Sequence, residues 1–261
     1  MNSLVKRSLV GLILGPIILY IFWLGGIYLM FFLSALSILL ILEFTSTIPI
    51  KFKTVQKLIL IILSVAQIIF SHIDISLLPA LYSISILLLV GIELINDIDK
   101  TLERLAICFF VLIYFGLSLA MVGKIRQISA FHGIYPLLLV WIVDTFAYFA
   151  GKFFGKNKMA KILSPNKTIE GLIGGIFGAI LIGLLFYYLK PDHFPALWMI
   201  FLGIILALLV QMGDLIASKI KRQFNLKDFS NIIPGHGGIV DRFDSFVFVM
   251  PVLFFIFYYI L

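Results

Sequence analysis

The sequence predicts an all-α polytopic membrane protein, a bundle of about nine transmembrane helices with its N-terminus in the cytoplasm. Three observations predict it. Of the 261 residues, 62% are hydrophobic and 13% charged, and the mean hydropathy is +1.16. A soluble domain of this length keeps far more charge on its surface, so the apolar excess must face lipid. The apolar residues also fall into runs close to the 20 or so that a helix needs to cross the hydrocarbon core. Lastly, the basic residues segregate by loop, as orientation in a bilayer demands.

The spans are expected at 8–24, 26–43, 57–71, 76–95, 104–122, 134–151, 169–189, 196–217 and 239–261. Lys6 and Arg7 before an apolar run resemble a signal peptide. With no small-residue cleavage site and a second run at once behind, the segment reads as a retained first span. Gly25 and Gly26 break the first two spans into a hairpin. The third span is short. When loops are assigned alternately to the two sides, 17 of the 20 basic residues fall on one side, and only Lys124, Arg126 and Lys190 on the other. Positive charge stays inside, so the long loops 152–168 and 218–238 are cytoplasmic and the C-terminus is external. The outer connections are short except near 123–133. Residues 1–130 hold spans 1–5. Residues 131–261 hold spans 6–9 with both long inner loops, and any chemistry is expected there.

The formal net charge of +7 does not point to nucleic acid, because the basic residues are dispersed among hydrophobic spans. Cys108, alone and within an apolar run, excludes an intramolecular disulfide and a multi-cysteine zinc site. His72, His132 and His193 fall in outer connections and read as ordinary loop residues. Only His236 is inside, which argues against a multi-histidine metal centre.

An acid within a span is a functional candidate by default, because leaving it there is costly. Asp144 lies well inside span 6, where a helix–helix hydrogen bond is the plainer reading. Asp214 sits near the inner end of span 8, and Ser218, Lys221 and Arg222 follow it at helical spacings on one face. Asp241 and Asp244 open span 9 one turn apart, where acids also serve as helix-dipole complements. Acids from three segments meeting on one membrane side beside lysine-rich loops suit Mg²⁺ bridging to a polyphosphate. A structural ion-pair network is the alternative. Glu170 reads as a dipole partner behind a Thr168 N-cap, and Glu43, Glu93 and Glu103 are assigned no chemistry. Pro234-Gly235-His236-Gly237-Gly238 runs into span 9, offering close backbone approach and a helix N-terminus to an anion. Lys167, in Ser164-Pro165-Asn166-Lys167-Thr168, is placed to reach a phosphate. For both segments a simple turn is the competing reading.

The run Ser218-Lys219-Ile220-Lys221-Arg222, then Lys227-Asp228, then Pro234-Gly235-His236-Gly237-Gly238-Ile239-Val240-Asp241-Arg242-Phe243-Asp244 resembles the signature of phosphatidate cytidylyltransferases, the CDP-diglyceride synthases. Asp144-Thr145-Phe146-Ala147-Tyr148, Ser164 to Gly171 and Gln211-Met212-Gly213-Asp214-Leu215 are also similar to that family. Residues 1–130 match only in hydropathy. The resemblance implies transfer of CMP from CTP to phosphatidate, giving CDP-diacylglycerol and pyrophosphate, by a multi-span homodimer among membrane lipids. It also implies a divalent metal, Mg²⁺ alone or with a second cation, held by Asp214 and Asp241 with Asp144 and Asp244 nearby.

On this reading Asp144, Lys167, Lys221, Arg222 and Asp244 are the expected catalytic residues. Ser218, Lys227, Asp228, His236, Gly237, Gly238 and Arg242 are the expected substrate-binding ones, with loop ordering as the alternative for Lys227, Asp228 and His236. The expected location is a bacterial plasma (inner) membrane with the site facing the cytoplasm. A CTP-dependent polyprenol kinase or a CDP-archaeol synthase would share CTP, metal and membrane. An ion-coupled transporter is a reading of a different class, disfavoured because the acids gather toward one face and no inverted repeat is visible.

Overall fold

The computed structural model describes residues 3–96, 98–189, 196–232 and 237–260, with side chains from residue 11 onward. The side chains of Lys6 and Arg7 lie outside the described residues, as do Lys190, His193, Pro234, Gly235 and His236. The helices are α1 (Ser3–Leu24), α2 (Gly26–Thr47), α3 (Thr54–Ile73), α4 (Leu78–Glu93), α5 (Thr101–Val111), α6 (Ser118–Ile128), α7 (Ala130–Phe154), α8 (Ile169–Leu189), α9 (Ala196–Gln223) and α10 (Val240–Phe255). A π-helical segment, Leu112–Leu117, joins α5 to α6 into one 28-residue span. Among the described residues, eight helical stretches are long and apolar enough to cross a membrane, and Gly11–Leu24 is a shorter apolar helix. The polytopic all-helical architecture is therefore as expected.

Several details differ from the expectation. The third span is a full 20 residues, Thr54–Ile73. The connection expected near 123–133 is almost wholly helical, because α6 runs to Ile128 and α7 starts at Ala130 after extended Ser129. His132 is therefore no loop residue. It is buried in α7 with its ring edge-on to Phe257 at 4.9 Å. His72 lies in the last turn of α3, where its ring and its carbonyl oxygen both meet Gln127. The loop after α7 is not a plain turn but an antiparallel hairpin of β1 (Lys158–Ala160) and β2 (Ser164–Thr168).

The chain forms two compact units, residues 1–130 with 228–240 and residues 131–227 with 241–261. In the first, α3 packs against α2, α4, α6 and the π segment. Leu33, Leu40, Ile41, Leu60, Val111, Leu112, Phe115 and Leu119 make its core. The α1–α2 turn uses Gly25 and Gly26 at φ +66° and +52°, a conformation open to glycine. Arg126 closes it by donating through Nε to the Phe22 carbonyl at 2.6 Å, satisfying an orphan acceptor at the end of α1. Glu93 and Arg104 form a buried ion pair at 2.9 Å, joined by Gln56. These are the acids and bases that hydrocarbon tolerates only when paired.

In the second unit, α8 packs on both α7 and α9. Gly171, Gly174, Gly175 and Gly178 recur along one face of α8. A Cβ at any of them would press on Val143, Phe146, Ala147 or Ala150 of α7. Small residues let the backbones approach where no hydrophobic effect drives helices together in lipid. The hairpin feeds α8 through Thr168, whose Oγ1 accepts from the Gly171 amide at 3.1 Å. That is the N-cap expected there. Glu170 accepts from both the backbone and the side chain of Asn157, so it ties the hairpin's entry to the start of α8.

Candidate active site

The second unit carries the polar centre. Four elements converge there: α7 with Asp144, β2 with Lys167, α9 with Asp214, Ser218 and Lys221, and α10 with Asp241, Arg242 and Asp244. What brings α9 against α10 is Gly213. A Cβ there would stand 2.8 Å from the Ser245 backbone and 2.9 Å from the Phe248 side chain. The same crossing is pinned by Ser245 Oγ, which donates to the Val210 carbonyl at 2.9 Å. The acids just beside this contact, Asp214 and Asp244, are thereby held within electrostatic range of each other.

Asp214 accepts from Lys167 Nζ at 2.6 Å through Oδ2 and from Ser218 Oγ at 3.3 Å through Oδ1. Lys167 also reaches the Gln211 carbonyl at 3.5 Å. The Asp214 side chain is 36% exposed, so a ligand can approach it. Asp241, by contrast, is 6% exposed and paired with Lys221 Nζ at 2.5 Å. The spacing along α9 thus places Ser218 on Asp214, as expected, but sends Lys221 across to α10. Asp244 is buried, with its Oδ1 accepting from the Ser245 amide at 2.6 Å. Asp144 is accessible and interacts with the charges of Asp214, Lys167 and Arg242.

The cluster holds four acids against Lys167, Lys221 and Arg242. Acids and bases on apolar helices are tolerated where they compensate one another. All of its acidic donors are hard carboxylate oxygens. Among the described residues no three acid, histidine or cysteine side chains form a closed metal cage. These features fit a magnesium-type cation, which takes one or two carboxylates and completes its shell with waters and substrate phosphates. They do not fit zinc, which wants nitrogen or sulfur.

Other expected residues lie at the end of α9 and in the segment before α10. Arg222 is exposed and donates to the Leu226 carbonyl at 2.7 Å, closing the end of α9. Lys227 and Asp228 are exposed. Gly237, at φ +81°, and Gly238 belong to the first unit. Residues that the spacing left without a role also emerge. Gln211 and Val210 take part through backbone carbonyls, which no side-chain pattern announces, and Ser245 through its hydroxyl.

The profile of the cytidylyltransferase family matches residues 5–260. Phosphatidate cytidylyltransferase of Staphylococcus aureus strain COL is 36% identical over 251 residues, covering 95% of this chain and 96% of the relative. Proteins of the same name from Staphylococcus epidermidis and Staphylococcus saprophyticus are 35% and 33% identical, with the same coverage.

Proposed function

This chain belongs to the cytidylyltransferase family, and from that premise we propose that it transfers CMP from CTP to phosphatidate, leaving CDP-diacylglycerol in the membrane and releasing pyrophosphate. The observation that carries the reading is the cluster itself: Asp144, Asp214, Asp241 and Asp244 gathered with Lys167, Lys221 and Arg242 on apolar helices. Such a centre suits a reaction between two anions at a bilayer surface. The phosphatidate phosphate is already ionised near neutral pH, so its oxygen attacks the α-phosphorus of CTP without a strong base. The bond to the β-phosphate breaks, and its electron pair leaves with pyrophosphate. Catalysis then rests on alignment and on neutralising the leaving group.

Lys167 and Lys221 are held in the centre by Asp214 and Asp241, and each ammonium can turn from its carboxylate to a phosphate oxygen. Ser218 orients Asp214 by its hydrogen bond. Arg242 and Asp144 border the same space. Asp214 and Asp241 are the residues that would hold Mg²⁺, which supplies charge neutralisation at the pyrophosphate when bound. The split of basic residues supports a cytoplasmic N-terminus and a site open to cytoplasmic CTP. The apolar helices support residence in a membrane, which the bacterial relatives make a plasma membrane. Homodimerisation rests on the family resemblance alone.

The test is to incubate the purified protein with phosphatidate, Mg²⁺ and CTP labelled at either the α- or the γ-phosphorus. Label from the α position alone should enter the lipid, with pyrophosphate released. Transfer of the γ label to a lipid alcohol would instead make the protein a CTP-dependent kinase.

A further inference from the structure

We infer that Glu43 of α2 is a positioning residue for this centre, capping the N-terminus of α10 and so setting the turn that carries Asp241. The inference rests on the transferase reading above. Glu43 is 4% exposed in an apolar helix. Its Oε2 accepts from the amide of Val240, the first residue of α10, at 2.7 Å. Its other oxygen accepts from Ser230 Oγ. One turn along α2, Thr47 Oγ1 donates to the Phe229 carbonyl at 2.7 Å, and Phe44 packs on the Phe229 ring at 5.5 Å. One face of α2 therefore grips the segment before α10 at both of its ends.

The chemistry explains why the gripping residue is an acid. A buried carboxylate is costly in a span, and among the described residues Glu43 forms no ion pair. Its compensation is the helix start, where an unpartnered N–H and the positive end of the dipole both favour an anion. An ordinary cap comes from a neighbour in sequence. This one comes from 197 residues away, from another helix of the same unit. Asp241 is the next residue after Val240, and its pairing with Lys221 depends on where that turn begins.

The experiment compares Glu43→Ala and Glu43→Gln with Leu40→Ala, a fully buried position on the same helix. All are full-length protein in lipid nanodiscs. Hydrogen exchange is read over residues 238–244, alongside kcat, the KM of each substrate and thermal stability. Both Glu43 variants should exchange faster there and lose about tenfold or more in kcat, with the KM for phosphatidate unchanged. Glu43→Gln, which keeps an acceptor but no charge, should fall between wild type and Glu43→Ala. Unchanged exchange in Glu43→Ala would overturn the proposal. So would an equal loss of kcat in Leu40→Ala at matched thermal stability, since the role would then be one of general folding. If the wild type transferred no CMP, the transferase reading would fail, and the exchange rates would still decide whether Glu43 sets the start of α10.

Discussion

Asp214 and Asp241 differ in what surrounds them, and that difference sets what their loss should do. Asp214 is reachable and shares Lys167 and Ser218, while Asp241 is enclosed with Lys221. Asparagine at either position keeps the volume but removes the charge that its paired ammonium meets and that the proposed cation would need. Turnover of Asp214→Asn and Asp241→Asn at saturating Mg²⁺ should drop below about one part in a hundred, a loss on the scale of single groups acting in a transition state. Size-exclusion profiles should stay unaltered. Near-normal turnover of either variant would remove it from the centre. The two basic residues at the end of α9, alike in the sequence, are also expected to part. Lys221→Ala loses a buried charge-assisted contact and should cost ~1.5–3 kcal/mol, roughly tenfold or more in kcat/KM for CTP. Arg222→Ala loses an exposed bond to a carbonyl and should stay within about threefold. Separate titrations of CTP and phosphatidate for each variant check the contrast.

Among the elements, the α9–α10 crossing and the hairpin before α8 do the positioning. Gly213→Ala puts a methyl group where backbone already stands, and the helices must separate. Overpacking of this kind costs about 1–3 kcal/mol, and here it also pulls Asp214 from Asp244. Activity should fall further than thermal stability does, a split readable by assay and melting of one preparation. Thr168→Val keeps the shape of the α8 N-cap and removes its acceptor. It should cost about 1 kcal/mol and loosen β2, which carries Lys167. In the first unit, Arg104→Ala would strand Glu93 in a buried setting, a change worth about 3–5 kcal/mol. It should lower the melting temperature without changing the KM of either substrate, which a melt and a substrate titration together would check.

For the whole molecule, orientation is the property with most at stake, because CTP is cytoplasmic and the product must stay in the bilayer. The buried Cys108 can be replaced by alanine to give a thiol-free background. Single cysteines at Lys161 and Asn231, both exposed, should then resist an impermeant maleimide on intact cells and react once the cells are opened. Ready labelling from outside would invert the topology. The expectation rests on the distribution of lysine and arginine, which acts during insertion and so is written along the chain.

Composition and periodicity were enough for the helical, membrane-embedded class, because hydrocarbon permits few ways to satisfy a backbone and demands one length of apolar run. The signature and the acids within spans were enough to name Asp144, Asp214, Asp241 and Asp244, since an unexplained charge in lipid is conspicuous in one dimension. The Gly25–Gly26 break and the Thr168 cap were likewise local chemistry, and each is found where local rules put it. Pairing was not legible. Helical spacing set Lys221 on the face of Asp214, yet its ammonium lies on Asp241, because the tight crossing at Gly213 brings a second helix within reach. Glu43 was visible as an acid but without a task, since its partner amide is 197 residues away and carries no side-chain signal. The apolar runs that end at 122 and resume at 134 put His132 in a loop, whereas α7 starts at Ala130 and packs the histidine ring against Phe257. What each residue can do is set by its own chemistry and near neighbours; which of its possible partners it meets is decided by contacts between helices, and those depend on distances that sequence order does not encode.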